Sequence, residues 1–237
     1  DTLAADYRSS MTADYPAVTM RHFATMTSGY DASGGAQSNT PFDPAAPLFA
    51  PGTQFQYWDS AMNQFANAMT RIADEPIEDL FRRRVADPIG MDSRAWDWGD
   101  WDAVDGIVVN GGAGNKSRGI TITARELARF GLLFLARGNW DGAQLISRDW
   151  VDAATAVQVP PSIPPRSSTA VTGVYGYNWW VNGTLEDGTR WWPDGPDGAY
   201  RASGFNGNYC VVVPEWSVVF VRLGTDGAPD GSGTLGR

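Results

Sequence analysis

The segment Tyr57-Trp58-Asp59 carries the residue types in this sequence that are best suited to chemistry. It follows the turn Pro51-Gly52 and a short apolar and aromatic run, and it precedes a stretch with helical periodicity. A tyrosine at such a position acts as a base at neutral pH only if a neighbouring cation, such as a lysine ammonium, lowers its pKa. The alternative is an aromatic residue before a helix whose first turn Asp59 caps. Spacing alone favours this capping role.

Other candidates for chemistry are weaker. The single histidine, His22, lies in an amphipathic segment and is interpreted as a packed or capping residue rather than a base or a ligand. The single cysteine, Cys210, lies in an apolar run and is interpreted as a buried residue rather than a nucleophile. One histidine and one cysteine argue against a zinc site, and the Asp-Gly-rich turns lack EF-hand spacing. We therefore predict no metal and no cofactor. The Gly-x-Ser-x-Gly motif of α/β-hydrolases is also missing.

The charge balance restricts the partners. The chain has 237 residues, a net charge of −9, and one lysine, Lys116, beside 17 arginines. This balance argues against nucleic acid or an anionic membrane surface as a partner. No apolar run approaches the roughly 18 residues of a membrane span.

Periodicity predicts a helical first half. Residues 18–30 indicate a short helix that ends at Ser28-Gly29. After Asp59 or Ser60, the predicted N-cap, apolar residues recur at helical spacing at Met62, Phe65, Met69 and Ile72.

Three further helices are predicted before the chain changes character. The first lies within residues 76–91 and runs into a Pro-Ile-Gly stop. Thr123 and Glu126 form a capping-box pattern for one helix. Another is expected to begin at Ser147, with an inner face made by Trp150, Val151 and Ala154.

The second half changes to strand-like patterns. Strands are predicted within residues 174–182, 208–213 and 216–224, and the last two join as a hairpin at Pro214-Glu215. We expect residues 209–213 to pair with residues 218–222 in an antiparallel sheet. The whole chain, 1–237, is expected to be one domain, with a mostly helical lobe in 1–168 and the sheet strands in 169–237.

Six ordered segments resemble the β-lactamase-like serine hydrolase superfamily: residues 18–30, 51–69, 86–91, 110–138, 175–182 and 201–221. This superfamily holds class C β-lactamases, DD-peptidases (penicillin-binding proteins), esterases and 6-aminohexanoate-oligomer hydrolases. The resemblance implies an α/β (α+β) fold of the β-lactamase/transpeptidase type. Such a fold has an antiparallel sheet flanked by helices plus a helical lobe, and its terminal elements are missing here. The implied activity is amide or ester hydrolysis through an acyl-enzyme.

The resemblance assigns catalytic roles to two positions. Tyr57-Trp58-Asp59 matches the family's Tyr-x-Asn or Tyr-x-Ser, with Asp in the third place, and this makes Tyr57 a proton relay. Ala202-Ser203-Gly204 stands where the family has Lys-Thr-Gly, so the backbone N–H of Phe205 would be an oxyanion donor. Because Ala202 lacks the lysine's cation, β-lactamase and DD-peptidase activity are disfavoured. The 6-aminohexanoate-oligomer hydrolase and esterase branch is favoured instead.

The resemblance also implies a substrate-binding cleft near Tyr57, in which Asn110 and Trp180 line the acyl pocket. Tyr57 is expected to lie close to Ser203 and Gly204. The full set of predicted substrate-binding residues is Tyr30, Asp59, Asn110, Trp180, Ser203, Gly204 and Asn206.

The family's nucleophile motif, Ser-x-x-Lys, does not occur in this sequence, because Ala113 stands three residues before Lys116. The resemblance places that motif upstream of Asp1. We therefore expect an internal part of a longer protein, whose N-terminal segment supplies the serine and lysine and which acts on a small-molecule amide or ester. Alone, this chain is expected to form no acyl-enzyme. The compartment stays open: the resemblance favours the periplasm or secretion, and the cytoplasm is compatible with the sequence.

Two alternatives belong to other functional classes. One is a non-catalytic descendant of the same fold that binds a ligand or peptidoglycan. The upstream sequence discriminates here, because an intact Ser-x-x-Lys supports the enzyme and its loss supports the binding protein. The other is a tryptophan-rich carbohydrate-binding module, but the helical first half argues against it. The tryptophan pairs at 179–180 and 191–192 are interpreted as core or pocket packing.

Overall fold

The computed structural model describes residues 15, 17–36, 43–113 and 119–224. It divides into two compact units. Unit 1 comprises Asp1–Arg83, Asp97–Thr121 and Ile163–Ala170, and unit 2 comprises Arg84–Trp96, Ile122–Ser162 and Val171–Arg237. Five α-helices and ten strands are named here in chain order: α1 Met20–Ala24, α2 Asp59–Ala73, α3 Ile77–Phe81, β1 Trp96–Trp98, β2 Asp100–Val104, β3 Ile107–Asn110, β4 Ile120–Ile122, α4 Ala124–Leu135, β5 Asn139–Trp140, β6 Ala143–Gln144, α5 Arg148–Ala154, β7 Trp180–Val181, β8 Tyr200–Gly204, β9 Asn208–Val213 and β10 Val218–Arg222.

Helix α1 is shorter than the sequence predicts. It spans five residues and is followed by Met26 with a φ of 57°, so the predicted end at Ser28-Gly29 is wrong. Gly29 has a different role: its φ is +68°, and a Cβ there would overlap the backbone carbonyl of Phe49. The glycine permits a close approach of two backbone segments rather than a helix cap.

His22 caps α1, as predicted. Thr19 Oγ1 accepts a hydrogen bond from His22 N at 3.2 Å, and His22 Nδ1 accepts one from Thr19 N at 3.1 Å. Burial, and secondarily the charge of Arg21, lowers the pKa of His22 below its usual value. The ring is therefore neutral at pH 7, and its Nδ1 can act as an acceptor.

Helix α2 forms where the periodicity predicts it, but its buried face is largely polar. The apolar residues whose spacing predicted the helix are not fully buried: they are Met62, Phe65, Met69 and Ile72. The fully buried face consists of Ser60, Ala61, Asn63, Gln64, Asn67, Ala68 and Thr70. Tertiary packing thus selects the small and amide side chains of α2 for the interior.

The secondary-structure elements that follow α2 are short. Helix α3 continues as one π-helical segment, Arg82–Ala86. Strand β2 pairs antiparallel with β3, β1 pairs with β4, and β5 pairs with β6. A core cluster in unit 1 is formed by Tyr15, Val18, Phe23, Tyr30, Ala32 and Ala61.

The largest sheet lies in unit 2 and has the strand order β10-β9-β8-β7. Its pairs are antiparallel, and β9 pairs with β10 from Tyr209↔Arg222 to Val213↔Val218. The predicted hairpin and its register are therefore confirmed. The strand-like patterns did not include Tyr200–Gly204, which forms strand β8, and the strand expected within 174–182 is reduced to Trp180–Val181.

Helix α4 begins after Thr123, but the predicted capping box does not form. Thr123 is the N-cap residue and makes no side-chain capping bond. The Glu126 carboxylate instead accepts from Asp92 N at 3.3 Å and pairs with Arg129 Nε at 3.4 Å. Glu126 is 4% exposed, and its carboxylate stabilises the chain segment before β1 rather than the helix start.

Helix α5 begins after Ser147, as predicted, and the Ser147 hydroxyl accepts from Trp150 N at 3.2 Å. Val151 and Ala154 are buried. The expectation that Trp150 lies on the inner face is wrong, since it is 52% exposed and its ring stacks on Tyr177.

Helix α4 packs closely against the large sheet at Gly131. A Cβ at Gly131 would lie 2.6 Å from Val219 Cγ1 and 2.7 Å from Cys210 Sγ. Cys210 is 1% exposed, as expected of a buried residue, and burial raises the pKa of its thiol to about 12. Together with Phe134, Trp179 and Val212, it belongs to the core of unit 2.

The first prediction concerns this contact. Gly131→Ala adds helix propensity worth about 1 kcal/mol, but it overpacks a site with no room for a methyl group, at a cost of about 1–3 kcal/mol. We expect a net loss of unfolding free energy in urea denaturation. In a Val219→Ala background the loss should shrink, because the nearest atom is removed. Stabilisation by Gly131→Ala would contradict the packing.

The second prediction concerns His22. Its folded-state pKa lies below its unfolded value of about 6.5, so the unfolded chain binds more protons once the pH falls below about 6.5. The contribution of neutral His22 is therefore complete above that pH and is lost as the pH falls through the folded pKa. Urea midpoints measured from pH 7.5 downward should decline more steeply for the natural chain than for His22→Gln. Parallel curves would refute the role of the histidine.

Candidate active site

Tyr57 lies immediately before α2 in unit 1. The N-cap of the helix is Trp58, whose backbone is extended (φ −145°, ψ 115°) and whose side chain makes no capping bond. Asp59 is already the first helical residue, so the predicted N-cap at Asp59 or Ser60 is wrong by one or two positions. Its carboxylate still lies in the first turn, where negative charge is favourable next to the free backbone N–H groups.

Tyr57 is only partly shielded from solvent, with a residue exposure of 38%. Desolvation, and secondarily the charge of Asp59, raises the pKa of Tyr57 above its usual value. This direction is opposite to the lowered pKa that a base requires. Within this chain Tyr57 is therefore a neutral phenol at pH 7, able to donate a proton and to accept a hydrogen bond.

The indole next to Tyr57 is fixed by a carboxylate that the sequence analysis missed. Trp58 Nε1 donates to Asp31 Oδ1 at 2.7 Å. The same oxygen accepts from Ala32 N at 2.9 Å and from Ser60 Oγ at 3.4 Å. Asp31 thus connects the loop that contains it to the start of α2. No spacing rule links residues 31 and 58, so the sequence carried no signal for this contact.

Tyr30 and Asn110 are both buried in unit 1, at 1% exposure each. The Tyr30 ring packs against Tyr15 at 4.9 Å between centroids and against Phe23 at 5.9 Å. These contacts give Tyr30 a place in the core. Its substrate-binding role stays a prediction.

The Asn110 amide is engaged on both sides. Its Oδ1 accepts from Glu78 N at 3.2 Å, and its Nδ2 donates to Asp100 Oδ1 at 2.6 Å. The side chain thus joins the end of β3 to the start of α3. The predicted contact of Asn110 with an acyl group stays a prediction.

In unit 2, the turn between β8 and β9 carries the predicted oxyanion donor. Strand β8 ends at Gly204, residues Phe205–Gly207 form a 3₁₀ turn, and Asn206 within it has a φ of 62°. Ser203 and Gly204 are exposed, and Phe205 is 79% exposed. The backbone of this turn is therefore accessible at the surface of unit 2.

Two side chains hold this turn in place. Arg222 Nη1 donates to the carbonyls of Asn206 at 2.9 Å and Gly207 at 2.8 Å. Asn208 Nδ2 donates to the Phe205 carbonyl at 2.7 Å, and Asn208 Oδ1 accepts from Gly224 N at 2.7 Å. The sequence analysis missed both residues, because turn-to-strand contacts of this kind have no fixed spacing.

Successive side chains of β8 lie on opposite faces of the strand. Ala202 packs against the core of unit 2. Arg201 and Ser203 alternate with it and therefore lie on the other face of the strand. The Arg201 guanidinium lies 4.7 Å from the ring centroid of Tyr209.

Trp180 belongs to an aromatic group on unit 2. Its ring lies 4.8 Å from Tyr175 and 5.4 Å from Trp191, and Trp191 stacks on Trp192 at 4.9 Å. Arg201 lies over both of the last two rings, at 5.0 and 5.1 Å. Trp180 is partly buried, and its contact with an acyl group stays a prediction.

The excursion between β7 and β8 presents Trp191 and Trp192 because a buried asparagine organises it. Asn182 Nδ2 donates to the carbonyls of Trp192, Gly195 and Pro196, and Asn182 Oδ1 accepts from Trp192 N at 2.8 Å. One side chain at the start of the loop thus holds residues 192–196. The tryptophan pair is locked by hydrogen bonds rather than by a regular element.

The predicted site residues fall into two groups. Unit 1 contains Tyr30, Tyr57, Asp59 and Asn110, and unit 2 contains Trp180, Ser203, Gly204, Phe205 and Asn206. The expected proximity of Tyr57 to Ser203 and Gly204 joins residues of different units and stays a prediction. Lys116 lies outside the described residues.

Within the part of the chain that the structure describes, no cluster of three or more His, Cys, Asp or Glu side chains is arranged to hold a metal ion. Within the same residues, no helix combines the length and the apolar character needed to cross a bilayer.

Comparison with known proteins gives one family match. The family model of Beta-lactamase matches residues 5–236. An uncharacterised protein of Alkalihalophilus pseudofirmus is 26% identical over 111 residues, which are 46% of this chain and 32% of that protein.

Solved structures are similar in fold. One is assigned as a 6-aminohexanoate-dimer hydrolase from Bacillus anthracis, with 17% identity, a TM-score of 0.67, and coverage of 96% of this chain and 61% of that one. Another is assigned as a beta-lactamase from Bacteroides dorei DSM 17855, with 18% identity, a TM-score of 0.69, and coverage of 97% and 73%. The predicted β-lactamase/transpeptidase-like fold is confirmed. This chain covers less than two thirds of the length of the curated relative and of the Bacillus protein.

The third prediction concerns the turn between β8 and β9. Arg222→Met removes the donor that holds the Asn206 and Gly207 carbonyls, so we expect local opening of the turn to become more frequent. Hydrogen exchange of a peptide covering residues 203–209, followed by mass spectrometry, should accelerate by about tenfold, as expected for a loss of about 1.4 kcal/mol. Arg190→Met, which removes an ion pair with Asp197, is the control and should leave this peptide unchanged. Equal exchange in the natural chain and Arg222→Met would contradict the assignment.

Proposed function

Because this chain belongs to the beta-lactamase family of serine hydrolases, we propose that the full-length protein cleaves a small-molecule amide or ester through an acyl-enzyme. The observation that carries the proposal is an accessible tyrosine, Tyr57, at the start of α2 in a chain that the family model matches over nearly its whole length. The nucleophile and its lysine are proposed to lie upstream of residue 1.

The proposed reaction has two halves. The upstream serine attacks the substrate carbonyl, and its proton passes through the upstream lysine and Tyr57 to the leaving amine or alcohol. Water then attacks the acyl-enzyme, and the same groups return the proton to the serine. Tyr57 is suited to this relay because a neutral phenol both donates and accepts a hydrogen bond.

The raised pKa of Tyr57 makes the upstream lysine part of the proposal. A phenolate forms at neutral pH only if a nearby cation outweighs desolvation and the charge of Asp59. The proposed lysine ammonium provides that charge. Without the lysine, Tyr57 can donate a proton but cannot take one up. It could then protonate the leaving group but could not activate the serine.

The oxyanion of the tetrahedral intermediate is proposed to bind the backbone N–H of Phe205 and that of the nucleophile. A preorganised donor contributes most when its backbone cannot shift as charge develops. The hydrogen bonds from Arg222 and Asn208 to the turn favour such rigidity. These two residues are positioning residues, because they act on the turn and not on the substrate.

The substrate branch is proposed from position 202. Ala202 offers no cation, and its side chain packs into the core of unit 2. This favours the branch of 6-aminohexanoate-oligomer hydrolases and esterases over β-lactamases and DD-peptidases. The similarity in fold to the Bacillus anthracis protein is compatible with this choice.

The fourth prediction tests the proposed relay. In the full-length protein, Tyr57→Phe should lower kcat for an activated ester by about 10²–10⁴-fold, the usual contribution of a positioned acid–base group. Tyr177→Phe, on the stacked pair with Trp150, is the matched control and should retain activity.

A fluorophosphonate probe separates the enzyme from a non-catalytic binding protein. The full-length protein should be labelled covalently at its serine, and substitution of that serine should abolish labelling. An unlabelled, folded protein would support the binding alternative, and an unaffected Tyr57→Phe variant would remove Tyr57 from the mechanism.

A further inference from the structure

In unit 1, Arg166 contacts the residues that flank Tyr57 in the chain, Phe55 and Trp58. Phe55 N donates to the Pro164 carbonyl at 3.1 Å, and Arg166 N donates to the Phe55 carbonyl at 2.9 Å. These bonds form a parallel bridge between Phe55 and Pro165. Phe55 is 1% exposed, so the bridge is anchored in the core. Because proline fixes φ, the backbone before Arg166 has little freedom to move.

The side chain of Arg166 is held by a second contact. Its guanidinium carbon lies 5.7 Å from the ring centroid of Trp58. This indole is itself fixed by its hydrogen bond to Asp31, so the cation rests on a rigid surface. Arg166 is therefore attached on both sides of Tyr57, through its backbone at Phe55 and through its side chain at Trp58.

Arg166 carries a charge that stays available. The residue is exposed, and within the described ranges its guanidinium forms no ion pair with a carboxylate. A guanidinium that lies on an aromatic face keeps its N–H edge free to donate in the plane of the group. That edge matches the two oxygens of a carboxylate.

We propose that Arg166 is a specificity residue that binds a carboxylate on the substrate whose carbonyl reacts beside Tyr57. This inference rests on the proposed hydrolase function and adds the substrate class: amides or esters that also carry a free carboxylate. The cation stands in unit 1, on a segment that is bridged to Phe55, whereas position 202 supplies none. A purely solvated surface arginine would need neither the bridge to Phe55 nor the contact with Trp58.

Two esters that differ only in charge test the proposal in the full-length protein. They are mono(4-nitrophenyl) glutarate, which ends in a carboxylate, and its methyl ester, which is neutral. The natural protein should prefer the charged ester. Arg166→Gln should lower kcat/KM for the charged ester by about tenfold to a hundredfold, mainly through KM, as expected for a lost charge-assisted hydrogen bond. The neutral ester should be affected less than about twofold, within the usual range of changes at surface positions.

Two further variants sharpen the result. Arg166→Lys keeps the charge but loses the paired N–H geometry, so its preference should be intermediate. Arg148→Gln, at an exposed arginine of α5, should behave as the natural protein does. An equal loss on both esters, or no loss on either, would overturn the proposal.

A binding measurement keeps this inference distinct from the proposed function. Pentanoate, a carboxylate that contains no amide or ester bond, is titrated into ¹⁵N-labelled protein while the indole N–H signal of Trp58 is followed. The signal should shift in a saturable way in the natural protein and not in Arg166→Gln. If neither ester is hydrolysed, the proposed hydrolase function fails, and this titration alone decides whether Arg166 binds a carboxylate. No shift in the natural protein would overturn the inference.

Discussion

The close approach of α4 to strands β9 and β10 is the constraint on which most of unit 2 depends. At Gly131 there is no room for even a methyl group between the helix and the side chains of Cys210 and Val219. Dense packing of this kind fixes the position of β9. Strand β8, paired with β9, and the turn that joins them are fixed in consequence. Arg222 then holds that turn from the far strand of the sheet.

Unit 1 is organised by buried polar contacts more than by an apolar stripe. Asp31 binds the indole of Trp58, Asn110 joins β3 to α3, and Asn63 of α2 accepts a hydrogen bond from Ala113 N at 2.8 Å. Each bond compensates for the desolvation of a polar group, and each requires a specific geometry. The residues on either side of Tyr57 are therefore held in place by hydrogen bonds or by the contact with Arg166.

The electrostatics at Tyr57 link structure to chemistry. Partial burial and Asp59 both favour the neutral phenol, so a cation is needed before the residue can accept a proton as a base. In the proposed mechanism the upstream lysine supplies this cation. Arg166 is proposed to bind the carboxylate of the substrate instead. One cation therefore acts on the pKa of Tyr57, and the other determines which substrates bind.

The sequence by itself determined those parts of the protein that depend on local pattern. The β-branched run of β9, a Pro-Glu turn and the apolar run of β10 were enough to predict the hairpin and its register, and Ser147 was enough to predict the start of α5. Motif order was enough to identify the family and its fold. Tertiary structure decided what local pattern cannot express. It turned Glu126 toward Asp92 instead of the helix start, and brought Asp31 to Trp58 and Arg222 to the turn after β8. These outcomes depend on which distant groups meet, because a buried polar group must find its partner wherever the fold brings one.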